Sequence, residues 1–406
     1  MTLEKWKKPA SRALYVAFVI ALVELSCCVY LKVRIVDPLP DGWAHIYSRY
    51  RTWELNPDYH SDFRTKGKKI HSPDGFREEK AVEKKKPEGT FRVIAMGASA
   101  LYGLGSDGTQ DYPYTPALMN DATIDYFLEQ MVNEELAKRG VSKKVEIINA
   151  AVSGYHTFHH LIYLNEVLWE YEPDLVIFLD GHNDFYFTQP RNDWRAAAAS
   201  QEHVRQGLNR QTLSFTAQTG VRFLAHYSNF FAAIESVVRL RTGGIAADVP
   251  RPADTEDVTT PEWKARVSKV MQQNFLRAYT QINALGKNVG FEMLVFLQPE
   301  IEYEEPDTLG PAEKHIYDLR IKHVAPNAPQ AMRVIRSMLP EAFRGIGVPF
   351  SDMSTIATKP PSEAQLYVDY CHLSKEGSRV LAAKMTGPLV EKIVETLKGK
   401  GASQGG

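Results

Sequence analysis

The segment Phe91-Arg92-Val93-Ile94-Ala95-Met96-Gly97-Ala98-Ser99 is a short apolar run that stops at a glycine and gives way to small residues. Beyond it Ile124, Phe127, Leu128, Met131 and Leu136 recur at helical spacing, so the stretch predicts strand, loop, helix. Two further runs have the same texture, Val145-Glu146-Ile147-Ile148 and Asp174-Leu175-Val176-Ile177-Phe178-Leu179, with a helical stretch through Leu161, Leu164 and Leu168 between them. Phe291 to Leu297 and Val348-Pro349-Phe350 predict two more strands, and a helix is expected from about Lys375 to Leu397. Strands that are apolar throughout are covered on both faces, and their alternation with helices predicts an α/β fold, three layers α/β/α around a central parallel sheet.

Composition is compatible with this. Of 406 residues 44% are apolar and 24% charged, ordinary globular usage that excludes intrinsic disorder, a collagen-like repeat and a multi-span membrane protein. Lys+Arg 48 against Asp+Glu 49 gives a formal net charge of -1, which makes no global electrostatic case for nucleic acid. Cys27 and Cys28 lie in one apolar run and Cys371 far away, so neither a disulfide framework nor a Cys-based zinc site can be built.

Ala13 to Leu31 is almost wholly apolar and about as long as a membrane-spanning helix, with Glu24 its one charged residue. A charge there costs about 2.5 to 3.5 kcal/mol on insertion scales, which the surrounding Leu, Ile, Val and Phe offset. Lys5, Lys7, Lys8 and Arg12 precede the run while Lys32 and Arg34 follow it, a bias toward a cytoplasmic N-terminus. No A-x-A-like cleavage site follows, so an uncleaved anchor is expected. The expected organisation is a cytoplasmic tail 1–12, a transmembrane anchor 13–36, an extracytoplasmic tether or surface-hugging extension 37–89, a folded domain 90–398 and a flexible tail 399–406. A polar, Ala-rich insertion over about 188–262 interrupts the domain. It includes an amphipathic helix carrying Phe223, Tyr227, Phe230, Phe231, Ile234 and Val238, a core helix or a lid.

In an open parallel sheet, ligands bind outside the carboxyl ends of the strands. At those ends stand Gly97-Ala98-Ser99, Asn149-Ala150-Ala151-Val152-Ser153-Gly154 and Gly181-His182-Asn183-Asp184, while Asp369-Tyr370-Cys371-His372 precedes the last helix, with Ser374 as its expected N-cap. A serine hydroxyl is a weak nucleophile until a base takes its proton, so Ser99 would need His372, and Asp369 would orient that imidazole. Backbone N–H groups of Ser99 and Gly154 and the side-chain amide of Asn183 are candidate oxyanion donors.

These four blocks, in this order, resemble the SGNH hydrolases, also called GDSL esterases and lipases. Gly97-Ala98-Ser99 matches the looser Gly-x-Ser form of the first block, Gly154 the second, Gly181-His182-Asn183-Asp184 the Gly-x-Asn-Asp block, and Asp369 to His372 the Asp-x-x-His block. The match covers roughly Arg92 to Leu397 apart from the insertion, and Ser72-Pro73-Asp74-Gly75-Phe76-Arg77 is similar to the corresponding part of membrane-anchored bacterial members. The resemblance implies a flavodoxin-like sheet, Ser99 as nucleophile, and Gly154 and Asn183 in the oxyanion hole. It also implies cleavage or transfer of an ester-linked acyl group, in anchored members acetyl on an envelope or secreted polysaccharide. An O-acyltransferase, a lipid esterase and a catalytically silent glycan-binding component are the alternatives. No cofactor, metal or nucleic-acid partner is expected.

Other patterns are weaker. Gly103-Leu104-Gly105-Ser106-Asp107-Gly108 spells G-x-G-x-x-G, but it does not follow a strand directly, and Gln110-Asp111-Tyr112-Pro113 is a poor helix start. His156, His159 and His160 could offer two metal ligands from one helix face, yet read more simply as helix-surface or cleft-lining groups. The run Glu300, Glu302, Glu304, Glu305 and Asp307 predicts a solvated loop.

Overall fold

The computed structural model describes residues 4–33, 44–48, 50–57, 59, 69–105, 118–186, 228, 230–231, 233–234, 257–323 and 327–403. They group into two compact units, Met1–Ala44 with Glu202–Pro250, and His45–Gln201 with Arg251–Gly406.

The second unit is built on β3 (Thr90–Gly97), β4 (Lys144–Asn149), β5 (Leu175–Asp180), β6 (Glu292–Leu297) and β7 (Phe350–Asp352), in the order β4-β3-β5-β6-β7. Every neighbouring pair is parallel. All of β5 and all but the first residue of β3 are buried, which is why these strands are apolar without alternation. The chain runs from β3 out to β4, then returns across β3 to β5 and continues to β7. The order therefore reverses at β3, and the crevice beyond the carboxyl ends of β3 and β5 is where such a sheet leaves room for a ligand.

Helices α2 (Ser99–Tyr102), α3 (Ile124–Lys138), α4 (Thr157–Glu166) and α5 (His182–Tyr186) connect the first strands. α6 (Pro261–Met271) and α7 (Arg277–Val289) precede β6, α8 (Pro311–His323) and α9 (Ala328–Gly345) precede β7, and α10 (Lys375–Ser403) closes the chain. α3 buries Ile124, Leu128, Val132 and Leu136, four residues apart and so on one face, and packs against α10. α9 buries Met332, Ile335, Leu339 and Phe343, three or four residues apart and so also on one face. The last helix runs past the expected boundary at 398, so Gly399 to Ser403 belong to it and not to a flexible tail.

The region expected as a tether is more deeply built in. β1 (His45–Ser48) and β2 (Thr52–Leu55) form an antiparallel hairpin, and Ile70, His71, Ser72, Phe76 and Arg77 are buried within the same unit as the sheet. Arg77 Nε donates to Tyr102 O at 2.9 Å and Nη1 to Ile70 O at 3.3 Å, and the same guanidinium also meets Leu118 O and Asn120. A buried cation met by backbone carbonyls is a structural pin, not a tether residue.

In the first unit, α1 (Glu4–Val33) leaves Leu14, Tyr15, Phe18, Ile20 and Leu25 exposed, and the Ser228 hydroxyl donates to the Glu24 carboxylate. Among the described residues, which include the side chains of α1 from Leu14 to Val29, no helix is long and apolar enough to cross a membrane. Most of the insertion, and most of the amphipathic helix predicted over 223–238, lie outside the described residues.

Candidate active site

Ser99 begins α2, two residues beyond the end of β3. The handover needs Gly97: a Cβ there would lie 2.9 Å from both Leu101 Cβ and Leu179 O. Ser99 is thus set at the reversal point of the sheet. Across from it, an antiparallel bridge between Tyr367 and Leu373 and a Val368 N–H to His372 O bond of 3.0 Å shape the loop that carries His372. Ser374 then caps α10, its Oγ accepting from Gly377 N–H at 3.0 Å.

The predicted acid, base and nucleophile meet in one hydrogen-bonded line. Ser99 Oγ lies 2.7 Å from His372 Nε2, and His372 Nδ1 lies 2.6 Å from Asp369 Oδ2, although Ser99 and His372 are 273 residues apart. Asp369 Oδ1 accepts two backbone N–H groups, from Cys371 at 2.9 Å and His372 at 2.8 Å. Burial pushes the Asp369 carboxyl up, but the neighbouring His372 and these hydrogen bonds outweigh it and hold the group well below the usual carboxylate range. An ionised Asp369 accepts a hydrogen bond from Nδ1–H, which fixes the ring proton there and leaves the Nε2 lone pair facing the serine O–H.

On the other side, Asn183 sits in the first turn of α5 and donates one Nδ2 hydrogen to Tyr155 O at 2.8 Å, leaving the second for another acceptor. That bond ties the Asn183 loop to the residue following Gly154. Asp184 Oδ1 accepts from Thr157 N at 3.2 Å and Thr157 Oγ1 at 2.8 Å, fastening the same two loops again. Gly154 has φ +82°, a left-handed conformation that glycine adopts without penalty. Trp53 of β2 packs over it: a Cβ at 154 would lie 3.2 Å from Trp53 Cζ2, and Trp53 Nε1 donates to Ser153 O at 2.9 Å.

The three histidines are not on a surface. His156, His159 and His160 are 2%, 1% and 0% exposed, with His160 Nε2 2.9 Å from Asp180 Oδ1 and Tyr279 donating to Asp180 Oδ2 at 2.6 Å. Burial above all pushes His156 down to about 4 and His159 well below its ordinary value. All three are buried side chains at the start of α4. Among the described residues, the group able to hold a metal ion is Asp369, Cys371 and His372. Two of its three members are already engaged in the line to Ser99.

The acidic run after β6 also departs from expectation. Glu305 and Asp307 are exposed, but Glu300, Glu302 and Glu304 are buried at 2%, 1% and 2%. Glu304 Oε1 accepts from the amides of Ile356 and Ala357 and from Tyr367 Oη. Glu302 pairs with Arg320 at 2.7 Å, and Glu300 with His182 at 3.0 Å. Trp53, Glu300, Glu302 and Arg320 carry no motif, and only the fold brings them beside the site.

No protein-family model matches the chain, and no curated protein matches it. Among solved structures, a carbohydrate acetylesterase from Sinorhizobium meliloti is 12% identical, with 74% of this chain and 99% of that one covered at a TM-score of 0.38. An aryl esterase from M. Smegmatis is 15% identical over 74% and 98%, at 0.34. An α/β hydrolase enzyme from the metagenome of Lake Arreo, Spain, is 14% identical over 73% and 95%, at 0.36. Likenesses this distant say nothing of the substrate of this chain.

Proposed function

We propose that this protein cleaves or transfers an ester-linked acyl group through Ser99. The observation that supports it is the line from Ser99 Oγ through His372 to Asp369, at 2.7 and 2.6 Å. In this reaction His372 Nε2 takes the serine proton as Oγ attacks the acyl carbonyl, and Asp369 stabilises the imidazolium that results. The oxyanion is met by the Ser99 and Gly154 N–H groups and the second Nδ2 hydrogen of Asn183. His372 then returns its proton to the leaving alcohol, giving an acyl-serine. It next activates water, for an esterase, or a sugar hydroxyl, for an acyltransferase.

The substrate we favour is acetyl on an envelope or secreted polysaccharide, with the domain held outside the cytoplasm by an anchor over 13–36. The exposed apolar side chains of α1, Leu14 at 72% and Tyr15 at 69% among them, favour a lipid-facing helix. The test is hydrolysis of p-nitrophenyl acetate and butyrate by the full-length chain in detergent. Turnover lost in both Ser99→Ala and His372→Ala supports the proposal, and a folded chain with no turnover argues for a silent glycan-binding component.

A further inference from the structure

The loop after β6 carries two glutamates that no step above uses. Burying a carboxylate without partners is costly, so each buried oxygen of Glu300 and Glu302 has to be accounted for. Glu302 Oε1 accepts from Arg320 Nε at 2.7 Å, and its Oε2 is buried without a donor. Glu300 Oε2 meets His182 Nδ1 at 3.0 Å, and its Oε1 is likewise buried without a donor. Glu302 has a cation, Arg320, as its partner, whereas the partner of Glu300 is an imidazole, so of the two buried carboxyls Glu300 is the one that needs a proton to stay neutral. Burial, with Arg320 opposing, pushes Glu300 up to about 8 and Glu302 up to about 7, the second also raised by the first.

The pair lies where both halves of the site are held. His182 immediately precedes Asn183, and burial above all pushes it down to about 4, so it is a neutral partner for Glu300. The same loop grips the acid–base segment: Ile301 N–H donates to Tyr370 O at 2.9 Å, and Gln298 Nε2 to Cys371 O at 3.2 Å. Arg320, the partner of Glu302, lies 4.1 Å over the Tyr370 ring, whose centroid is 5.4 Å from that of His182. Glu300 and Glu302 therefore bridge the Asn183 turn and the Asp369–His372 loop.

We propose that Glu300 keeps a proton while Glu302 pairs with Arg320, and that the two form a positioning unit for this site, in which Glu300 holds His182, and through it Asn183, in register with His372. The proposal rests on the acyl-transfer reading above. Loss of the Glu300 proton would put a second buried negative charge behind Asn183, where an oxyanion has to form. The groups facing the pair are Arg320 on α8, His182 on α5, Asp369 and Cys371 on the acid–base loop, and Tyr303 and Tyr367. Among these, Asp369 is already ionised, His182 is neutral, and burial keeps the thiol and both phenols protonated. The Glu300 proton is thus the one that leaves as the medium turns mildly alkaline.

The experiment is the pH dependence of kcat for p-nitrophenyl acetate in the full-length chain, with Glu300→Gln and Glu300→Leu. It is paired with the infrared band of the protonated carboxyl, titrated between about pH 6 and pH 10. The expected wild type loses kcat on the alkaline side over the range in which the band component missing from Glu300→Gln disappears. Glu300→Gln, still a neutral hydrogen-bonding group, lowers kcat severalfold at neutral pH and lacks the alkaline limb. Glu300→Leu loses about tenfold or more in kcat with KM little changed, the signature of a lost transition-state interaction. An alkaline limb unchanged in Glu300→Gln, or no carboxyl band assignable to Glu300, overturns the proposal. A wild type that neither turns over ester nor takes up fluorophosphonate at Ser99 removes the acyl-transfer reading and the positioning role with it, while the carboxyl band still decides whether Glu300 is protonated.

Discussion

Replacing Asp369 with asparagine separates the geometry of the site from its proton bookkeeping. In the native chain Asp369 Oδ1 accepts the amides of Cys371 and His372, at 2.9 and 2.8 Å, while Oδ2 faces His372 Nδ1 at 2.6 Å. The asparagine oxygen can keep both backbone bonds, so the loop should hold its shape. Its NH2 then occupies the position of Oδ2 and can only donate, which forces His372 Nδ1 to accept. The ring proton moves to Nε2, 2.7 Å from Ser99 Oγ, and no lone pair is left to take the serine proton. The imidazolium also loses its counter-charge. Together these should lower kcat by ~10⁴, or roughly 5.5 kcal/mol at 1.36 kcal/mol per decade, with KM and thermal midpoint close to wild type. The assay is steady-state hydrolysis of p-nitrophenyl acetate beside far-ultraviolet circular dichroism. A variant within tenfold of wild type would refute the assigned role of Asp369.

Gly154→Ala forces a side chain to φ +82°, a cost of about 1–2 kcal/mol, and sets its Cβ 3.2 Å from Trp53. The thermal midpoint should fall, and the double variant with Trp53→Ala should recover only the steric part, as differential scanning calorimetry would show. Arg77→Leu removes the guanidinium that donates to the carbonyls of Tyr102 and Leu118 and one of two donors to Ile70 O, at about 1–3 kcal/mol for each buried group left unmatched, so the urea midpoint should drop sharply although the residue lies in the expected tether. The pH dependence of stability follows from buried groups of opposite sign. His156 and His182, at about 4 when folded against an ordinary 6.5, withdraw stability as pH falls through that window and are silent above it. Glu300 and Asp184, raised to about 8 and 7, keep protons that the unfolded chain releases, so stability falls as pH rises from their ordinary carboxyl range toward 8. Above pH 6.5 only the second set acts, and the thermal midpoint should decline from there to pH 8; a flat or rising midpoint would contradict the burial of these carboxyls.

The sheet was legible because its strands are buried on both faces: Phe91 to Met96 and Leu175 to Leu179 show apolar runs that nothing but a covered strand of that length explains. The line of Ser99, His372 and Asp369 was legible because the chemistry of a weak nucleophile demands a base and an orienting acid, and parallel sheets present such groups at strand ends. What escaped depends on tertiary burial. Glu300 and Glu302 look like any solvated acidic run until Arg320 and His182, distant in sequence, close over them. Arg77 and Phe76 sit among Pro, Gly and charged residues that locally suggest an extension, and only the carbonyls of Tyr102 and Ile70 show that the segment is pinned. His156, His159 and His160 carry no local sign of depth, since the histidine pattern is the same on a surface as in a core. α9 is interrupted by Pro340, which masks an otherwise regular apolar period through Ile335, Leu339 and Phe343.

The central claim is that Ser99 is a nucleophile activated by His372, and the most direct measurement is fluorophosphonate labelling of the full-length chain, read by intact mass and then by peptide mapping. The account predicts a single adduct, on the peptide containing Ser99, absent from Ser99→Ala and formed far more slowly in His372→Ala. A folded chain that takes up no reagent, or takes it up on another residue with Ser99→Ala labelled as wild type, would contradict it.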